Sequence, residues 1–262
     1  MAKAALTATV ITLNEAANIE ACLDSVAFAD EVIVVDSGST DGTADLARAK
    51  GARVIARDWP GYAAQKNFAA SQATHDWILS VDADERVTPE LAREIERTVA
   101  AAPSTAGYRV PRVTFHLGRW IRTTDWYPDW QLRLYHRSRA SWPPKLVHES
   151  VRANGEVGRL AAELQHYAYR DIAHHYATME RYTSLSAEEM FANGRPASIL
   201  HLAVHPAAAF LRNYILKRGF LDGAAGFTIS KMNAYYVYLK FVKLRALRGQ
   251  RAEGKGQREG GG

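Results

Sequence analysis

Trp77-Ile78-Leu79-Ser80-Val81-Asp82-Ala83-Asp84-Glu85 is an apolar run that ends abruptly in acids. Alternate side chains of a buried strand share a face, so Asp82 and Asp84 are expected to project together where the strand meets the solvent edge of a sheet. A carboxylate pair of this kind holds a hard divalent cation, Mg²⁺ or Mn²⁺, and leaves it open positions for substrate phosphate oxygens. Taken alone, the D-x-D also fits a polar strand end followed by a helix cap. The sequence around it decides between the two.

Upstream, strand and helix patterns alternate. Leu6 to Leu13 reads as a buried strand, followed by a loop and an amphipathic helix to Val26 with Ile19, Leu23 and Val26 on one face. Glu31 to Val35 is a second strand ending at Asp36, and Ser37 to Thr43 supplies turn and cap residues before the helix Ala44 to Lys50. Ala52 to Ala56, Tyr62 to Gln72, Asp76 to Val81 and Pro89 to Ala101 continue as strand, helix, strand, helix. This alternation predicts an α/β fold with a mostly parallel, doubly wound sheet, whose ligands bind beyond the carboxyl ends of the strands. Asn14-Glu15, Asp36 and Asp82/Asp84 all fall at those ends, so one site at the sheet edge would collect them. There is no G-x-x-x-x-G-K-[ST] loop, and Gly38 to Gly42 lacks the G-x-G-x-x-G spacing. With few fixed cations for phosphate, a metal held by Asp84 is the expected neutraliser.

At 262 residues, with 47% hydrophobic and 23% charged residues, the chain can bury a full core. The lone Cys22 cannot form an internal disulfide and fits a reducing compartment. The apolar start Ala4 to Leu13 runs directly into Asn14-Glu15 without a cleavage-like segment and reads as a strand rather than a signal. The net charge of +5 is unevenly spread. From Arg195 onward there are 12 Lys+Arg against 3 Asp+Glu, so the remainder is acidic. An acidic body with a basic appendage suggests a partner surface that is anionic.

Thr12-Leu13-Asn14-Glu15, Val35-Asp36-Ser37-Gly38-Ser39-Thr40-Asp41-Gly42-Thr43, Gln65-Lys66-Asn67 and Val81-Asp82-Ala83-Asp84-Glu85 resemble, in order, the successive motifs of family-2 glycosyltransferases with the GT-A fold. Further on, Trp59-Pro60-Gly61-Tyr62, Tyr127-Pro128-Asp129-Trp130-Gln131-Leu132-Arg133-Leu134, Val147-His148-Glu149 and Gly219-Phe220-Leu221-Asp222-Gly223 resemble the bacterial lipopolysaccharide inner-core β-glucosyltransferases of that family. The resemblance implies a GT-A catalytic domain over 1–170, with a nucleotide-sugar half (1–100) and an acceptor half (101–170). A helical region (171–248) and a disordered tail (249–262) would follow.

It also implies roles. Asp36 would accept a hydrogen bond from the uracil of a UDP-sugar, with Asn14 and Glu15 near the nucleoside and Lys66 and Asn67 lining the pocket. Asp82 would contact the ribose or metal-bound water, and Asp84 would ligate Mg²⁺ or Mn²⁺. Read from the residues alone, Asp36 also fits an Asx turn and Asn67 an exposed helix position. The family is inverting and needs one carboxylate base. No Glu-Asp pair follows residue 85, which leaves Glu149 as the expected base and His148 as a third metal ligand; a surface strand pair is the bland reading of the same dipeptide. Asp125 and Asp129 are the runner-up bases. The aromatics of Trp126 to Trp130 suit either sugar stacking or core. His166, His174 and His175 lack metal-site spacing and are expected to close the acceptor side or to pack against the helices that follow.

From Asp171 the pattern is helical: Asp171 to Ala192, then Pro196 to Lys217, a break at Gly219 to Gly226, and Phe227 to Leu247. No uninterrupted run of about 18 apolar residues is present, because His201, His205-Pro206 and Arg212-Asn213 interrupt the best candidate for a spanning helix. Tyr235, Tyr236, Tyr238, Phe241 and Leu244 beside Lys231, Lys240, Lys243, Arg245 and Arg248 read as an interfacial helix for anionic lipid, and equally as a core or dimer helix with a basic face. The expectation is therefore a peripheral enzyme on the inner face of the cytoplasmic membrane that moves a hexose, with glucose the favoured one, from a UDP-sugar to a lipid-linked saccharide such as the lipopolysaccharide inner core. A polyprenyl-linked or protein acceptor is the alternative. Three rivals fit less well. A haloacid-type phosphatase needs Thr or Val where Arg86 stands. A nucleic-acid or membrane binding module leaves the acidic strand ends unexplained, and no nucleic-acid partner is expected. A processive synthase should carry spanning helices and a Q-x-x-R-W motif that Gln131-Leu132-Arg133 only approximates.

Overall fold

The structure, a computed structural model, describes residues 5–101, 104–143 and 150–259. The first hundred residues form β1 (Leu6–Thr12), α1 (Ile19–Ser25), β2 (Glu31–Asp36), α2 (Thr43–Ala49), β3 (Arg53–Ala56), α3 (Tyr62–Ser71), β4 (Trp77–Asp82), β5 (Glu85–Val87) and α4 (Pro89–Ala100). Every residue of β1 is buried, as a strand covered on both faces requires. β4 is buried up to Ser80-Val81 and loses cover only at Asp82, where the apolar run ends. Thr88 caps α4 by accepting from the Leu91 N–H, with Pro89 at the first helical position.

The chain continues through β6 (Gly107–His116), β7 (Arg119–Ile121), β8 (Asp129–His136), β9 (Ala140–Ser141), β10 (Arg152–Ala153), β11 (Val157–Arg159) and β12 (Leu164–His166). The main sheet runs β3-β2-β1-β4-β8-β6-β12-β5. Its first four strands are parallel; β8 then pairs antiparallel with β4 and with β6. The chain walks from β1 out to β3 and returns to set β4 on the other side of β1, a topological switch point between β1 and β4. Register brings the strand ends level there, with Ile11 opposite Asp82 and Thr12 opposite Asp36. Alternation divides the core. Ala8, Val10, Val34, Leu79 and Val81 pack with α1 and α4, whereas Ile11, Ile33, Val35 and Ile78 pack with α3.

Two compact units emerge. One comprises Met1–Thr114 and Pro128–Ala168 and contains the parallel sheet. The other comprises Phe115–Tyr127 and Tyr169–Gly262, so residues 115–127 group with the C-terminal helices, an exchange the sequence alone does not reveal. In the second unit, Asp171 caps α5 (Ile172–Ala192) by accepting from the His174 N–H. Then come α6 (Ile199–Leu211, with Pro206 inside), a π-helical turn Arg212–Leu216, a 3-10 turn Gly219–Asp222 and α7 (Gly223–Glu259).

Two expectations change here. The break expected at Gly219 to Gly226 is present but shorter: a 3-10 turn occupies Gly219–Asp222 and α7 starts at Gly223, four residues before Phe227, with Gly226 packed so close that a Cβ there would lie 1.8 Å from the Gly219 carbonyl oxygen. The helix also runs on to Glu259 rather than ending at Leu247, past Gly249, Gly254 and Gly256, since extending a formed helix adds a hydrogen bond per residue fixed. Phe241 and Leu244, which suit either a lipid-facing or a core position, are buried against Ala187, with Leu202 of α6 beside them. Lys243 is likewise turned inward, donating to the Glu180 carbonyl and carboxylate and to the Thr183 and Ser184 hydroxyls.

Candidate functional site

The carboxyl edge of the first unit is built from two loops sewn together. Asn14 takes a left-handed φ of 55°, which asparagine tolerates, and its side-chain oxygen accepts from the Thr40 N–H at 2.9 Å while its own N–H donates to Ser39 Oγ. The Glu15 N–H donates to Thr43 Oγ1, and the Ala16 N–H to Asp41. Glu15 itself accepts from Asn18 Nδ2. Asp36 turns back on its own loop, accepting from the N–H groups of Gly38 and Ser39 at 3.1 and 3.0 Å. That is the Asx-turn geometry; Gly38, at φ 90°, supplies the left-handed residue it needs.

Around the D-x-D the charges form a closed network. Asp82 binds Lys66 Nζ at 2.6 Å through one oxygen and Arg133 Nη2 at 2.5 Å through the other. Glu85, fully buried, accepts from Arg133 and Arg112 on Oε1 and from the Asp82 N–H on Oε2. Arg112 also holds Asp129, whose second oxygen accepts from Gln131. Three cations thus meet three carboxylates and the cluster is neutral. Burial opposes charge on Asp82, but Arg133 and Lys66 overcome it and hold its carboxyl well below the usual carboxylate range. Burial likewise lowers the Lys66 ammonium in spite of Asp82. Asn67 is spent on the backbone of Trp142, donating to its carbonyl at 2.7 Å and accepting from its N–H at 2.9 Å. This positions the indole under Lys66 Nζ, 4.4 Å from the ring centre.

The two aspartates part company. β4 ends at Asp82, and Asp84 sits in the turn before β5, so strand alternation does not aim them together. Asp84 faces His166, whose Nε2 lies 3.3 Å from its carboxylate and whose Nδ1 is 3.3 Å from Thr114 Oγ1. Burial raises the Asp84 carboxyl, yet the hydrogen bond and charge of His166 more than offset it. A carboxylate oxygen suits Mn²⁺ or Mg²⁺, so Asp84 can hold such an ion, with the His166 nitrogen beside it as a second donor better matched to Mn²⁺ than to Mg²⁺, while the Asp82 oxygens are already engaged. No grouping of three or more metal-ligating side chains occurs among the described residues.

His148 and Glu149 lie outside the described residues. Both runner-up bases are engaged: Asp129 as above, and Asp125, in the second unit, with Asn213 and Arg212. His174 and His175 belong to the second unit. There His175 is buried, stacks on Tyr169 at 4.1 Å and shares a hydrogen bond with His116, beside Trp126. Arg112 falls in none of the motifs quoted above, and Glu85 and Arg133 stand within them with no role assigned. The available signal was Arg133 itself, a charge inside the apolar stretch Leu132 to Tyr135 of the strand, which demands a buried counter-charge.

Helices flanking a mixed sheet, with acids at the carboxyl edge of its parallel half, define a protein of the GT-A class. The description "Glycosyl transferase family 2" matches residues 7–154, and the chain belongs to that family of glycosyltransferases. An uncharacterized glycosyltransferase of Rickettsia bellii is 34% identical over 255 residues, covering 92% of this chain and 86% of its own. The lipopolysaccharide core biosynthesis glycosyltransferase LpsC of Rhizobium meliloti is 30% identical over 249 residues, 92% of each chain. Among solved structures, the mannosyltransferase PcManGT of Pyrobaculum calidifontis, in complex with GDP-Man and Mn²⁺, superposes with a TM-score of 0.53 at 20% identity. It covers 91% of this chain and 86% of its own, a likeness of fold.

Proposed function

We propose that this glycosyltransferase is inverting and metal-dependent, and that it transfers glucose from a UDP-sugar to a lipid-linked saccharide such as the lipopolysaccharide inner core. The observation that carries the reading is the Asp84–His166 pair beside a charge network that is already neutral. With Lys66, Arg112 and Arg133 committed to carboxylates, the edge has no surplus cation among them for a diphosphate, and Asp84 with His166 offers the place for one. When bound there, Mg²⁺ or Mn²⁺ supplies the positive charge that stabilises a departing diphosphate. The likeness to LpsC along nearly the whole of both chains supports the acceptor class.

Within this reading the loops at Asn14–Glu15 and Asp36 receive the nucleoside, and Lys66, held over Trp142, borders the pocket through Asp82. The acceptor hydroxyl attacks the anomeric carbon from the face opposite the diphosphate. A new C–O bond forms as the sugar–phosphate bond breaks, and the hydroxyl proton passes to a carboxylate. Because Asp125 and Asp129 are bound to cations and amides, Glu149 takes that part. No described helix is long and apolar enough to cross a membrane; the enzyme reaches its acceptor from the inner face of the cytoplasmic membrane, as a peripheral protein.

Isothermal titration of UDP-glucose with Mn²⁺, and again with chelator, tests the donor site. Binding by the wild type that requires Mn²⁺, lost in Asp84→Ala and weakened in His166→Ala, is the expected result. Equal affinity with and without metal sinks the assignment.

A further inference from the structure

The second unit carries an apolar face that its own packing leaves uncovered. No residue of α6 is buried, although most of the helix is apolar. Leu202, with the rings of His201 and His205, lies against Phe241 of α7. Leu200, Val204 and Leu211 recur at helical spacing on the opposite side and are exposed, and Ile215 and Leu216 extend them, Leu216 being 77% exposed. Leu221 in the 3-10 turn adds to the same stretch at 60%. A contiguous run of large exposed apolar side chains marks an interaction site.

Its orientation is fixed by polar anchors rather than left to chance. Asn213, buried in the π-helical turn, donates to Asp125 and to the Ala209 carbonyl and accepts from the Asp125 N–H. Asp222, also buried, accepts from Thr123 Oγ1 and the Arg122 N–H and pairs with Arg119. These contacts hold the segment with its polar groups inward and its leucines outward. The exposed charge along this segment is one-signed. Between residues 199 and 231 the only acid is the buried Asp222, whereas Arg212, Lys217, Arg218 and Lys231 are all exposed.

We propose that the outer face of α6 and the two turns after it form the membrane seat of the protein, its apolar side chains entering the interface of an anionic bilayer and Lys217 and Arg218 meeting lipid phosphates. The proposal rests on the lipid-linked acceptor and assigns the contact to a different element from the tyrosine-rich α7, whose Phe241 and Leu244 are used internally. A helix of this length cannot span but can lie in the interface plane, where buried apolar area and cation–headgroup attraction add.

Flotation of the full chain with phosphatidylcholine vesicles, with and without about a third phosphatidylglycerol, tests it. The triple variant Leu200→Ser/Val204→Ser/Leu211→Ser, altered only at exposed positions, is expected to lose at least about tenfold in partitioning on both vesicle types. Lys217→Glu/Arg218→Glu should lose about tenfold or more on anionic vesicles alone. Val204→Cys carrying a polarity-sensitive fluorophore should shift to the blue on anionic vesicles, Cys22 being buried and out of reach. If the triple variant floats within about twofold of wild type, this face is not the seat, although the lipid reading survives. A wild type that ignores every vesicle overturns both. Sedimentation showing a wild-type dimer that the triple variant dissociates makes the face a contact between copies and overturns the proposal. Donor binding is measured without vesicles, so its failure is separately visible.

Discussion

Arg133 is the residue on which the candidate site turns. Its guanidinium joins Asp82 to Glu85 from within the sheet, and burial would disfavour its charge if the two carboxylates did not raise its pKa well above the usual range. Arg133→Ala removes one partner of a buried cluster and leaves its carboxylates under-compensated, which costs about 3 kcal/mol or more. Urea unfolding should register that loss, and a change below about 1 kcal/mol would mean that Lys66 and Arg112 suffice alone. Glu149→Gln should leave Mn²⁺-dependent UDP-glucose binding intact and lower transfer by at least about a hundredfold. An unaltered rate returns the role of base to Asp125 or Asp129. At this scale the sequence is readable where a residue's neighbours in the chain are also its neighbours in space. Asp36 with Gly38 and Ser39 is such a case. The Asp84–His166 contact spans 82 positions of chain, and no periodicity points to it.

Elements were legible wherever an apolar period met a cap or a turn. β1, β2 and β4 fall within a residue or two of the pattern, and so does α5 with Asp171 at its start. In the stretch Gly219 to Gly226 the first half is the expected break and the second half already belongs to α7, because glycine signals both a break and a close approach and only the tertiary contact distinguishes them. Gly226→Ala forces the backbone of α7 away from Gly219, where the added methyl would meet carbonyl oxygen at 1.8 Å. Overpacking of this kind costs about 1–3 kcal/mol. Thermal melting followed by far-ultraviolet circular dichroism should show the loss, whereas Gly249→Ala, with open space around it, should leave the melt unchanged or raise it slightly. Equal melting of the two variants would refute the close contact.

For the whole molecule, acid should act on the two units in turn. Burial, then the charges of His116 and His174, push the His175 imidazole down to about 4 from its ordinary 6.5. Between those values the unfolded chain binds a proton that the folded unit refuses, so stability present above about pH 6.5 is lost as pH falls toward 4. In the first unit the Asp82 carboxyl is depressed instead, so its contribution persists until the pH drops below about 4, where the unfolded carboxylate takes up its proton. Helical signal is expected to melt at lower temperature at about pH 5 than at about pH 7, with a smaller difference in His175→Phe. An identical pH dependence in the variant would remove His175 from the account.

The neutrality of the network around Asp82 bears on how substrates arrive. A free polyanion nearing that edge feels little long-range pull, so capture of the donor should depend only weakly on ionic strength, and phosphate or metal-free nucleotide should compete poorly. The membrane seat proposed for α6 and the turns after it would behave in the opposite way, attraction of its exposed cations to anionic headgroups fading as the Debye length shortens. Salt would then act as a selective dial, loosening the enzyme from its acceptor's surface while leaving its hold on the sugar nucleotide almost untouched.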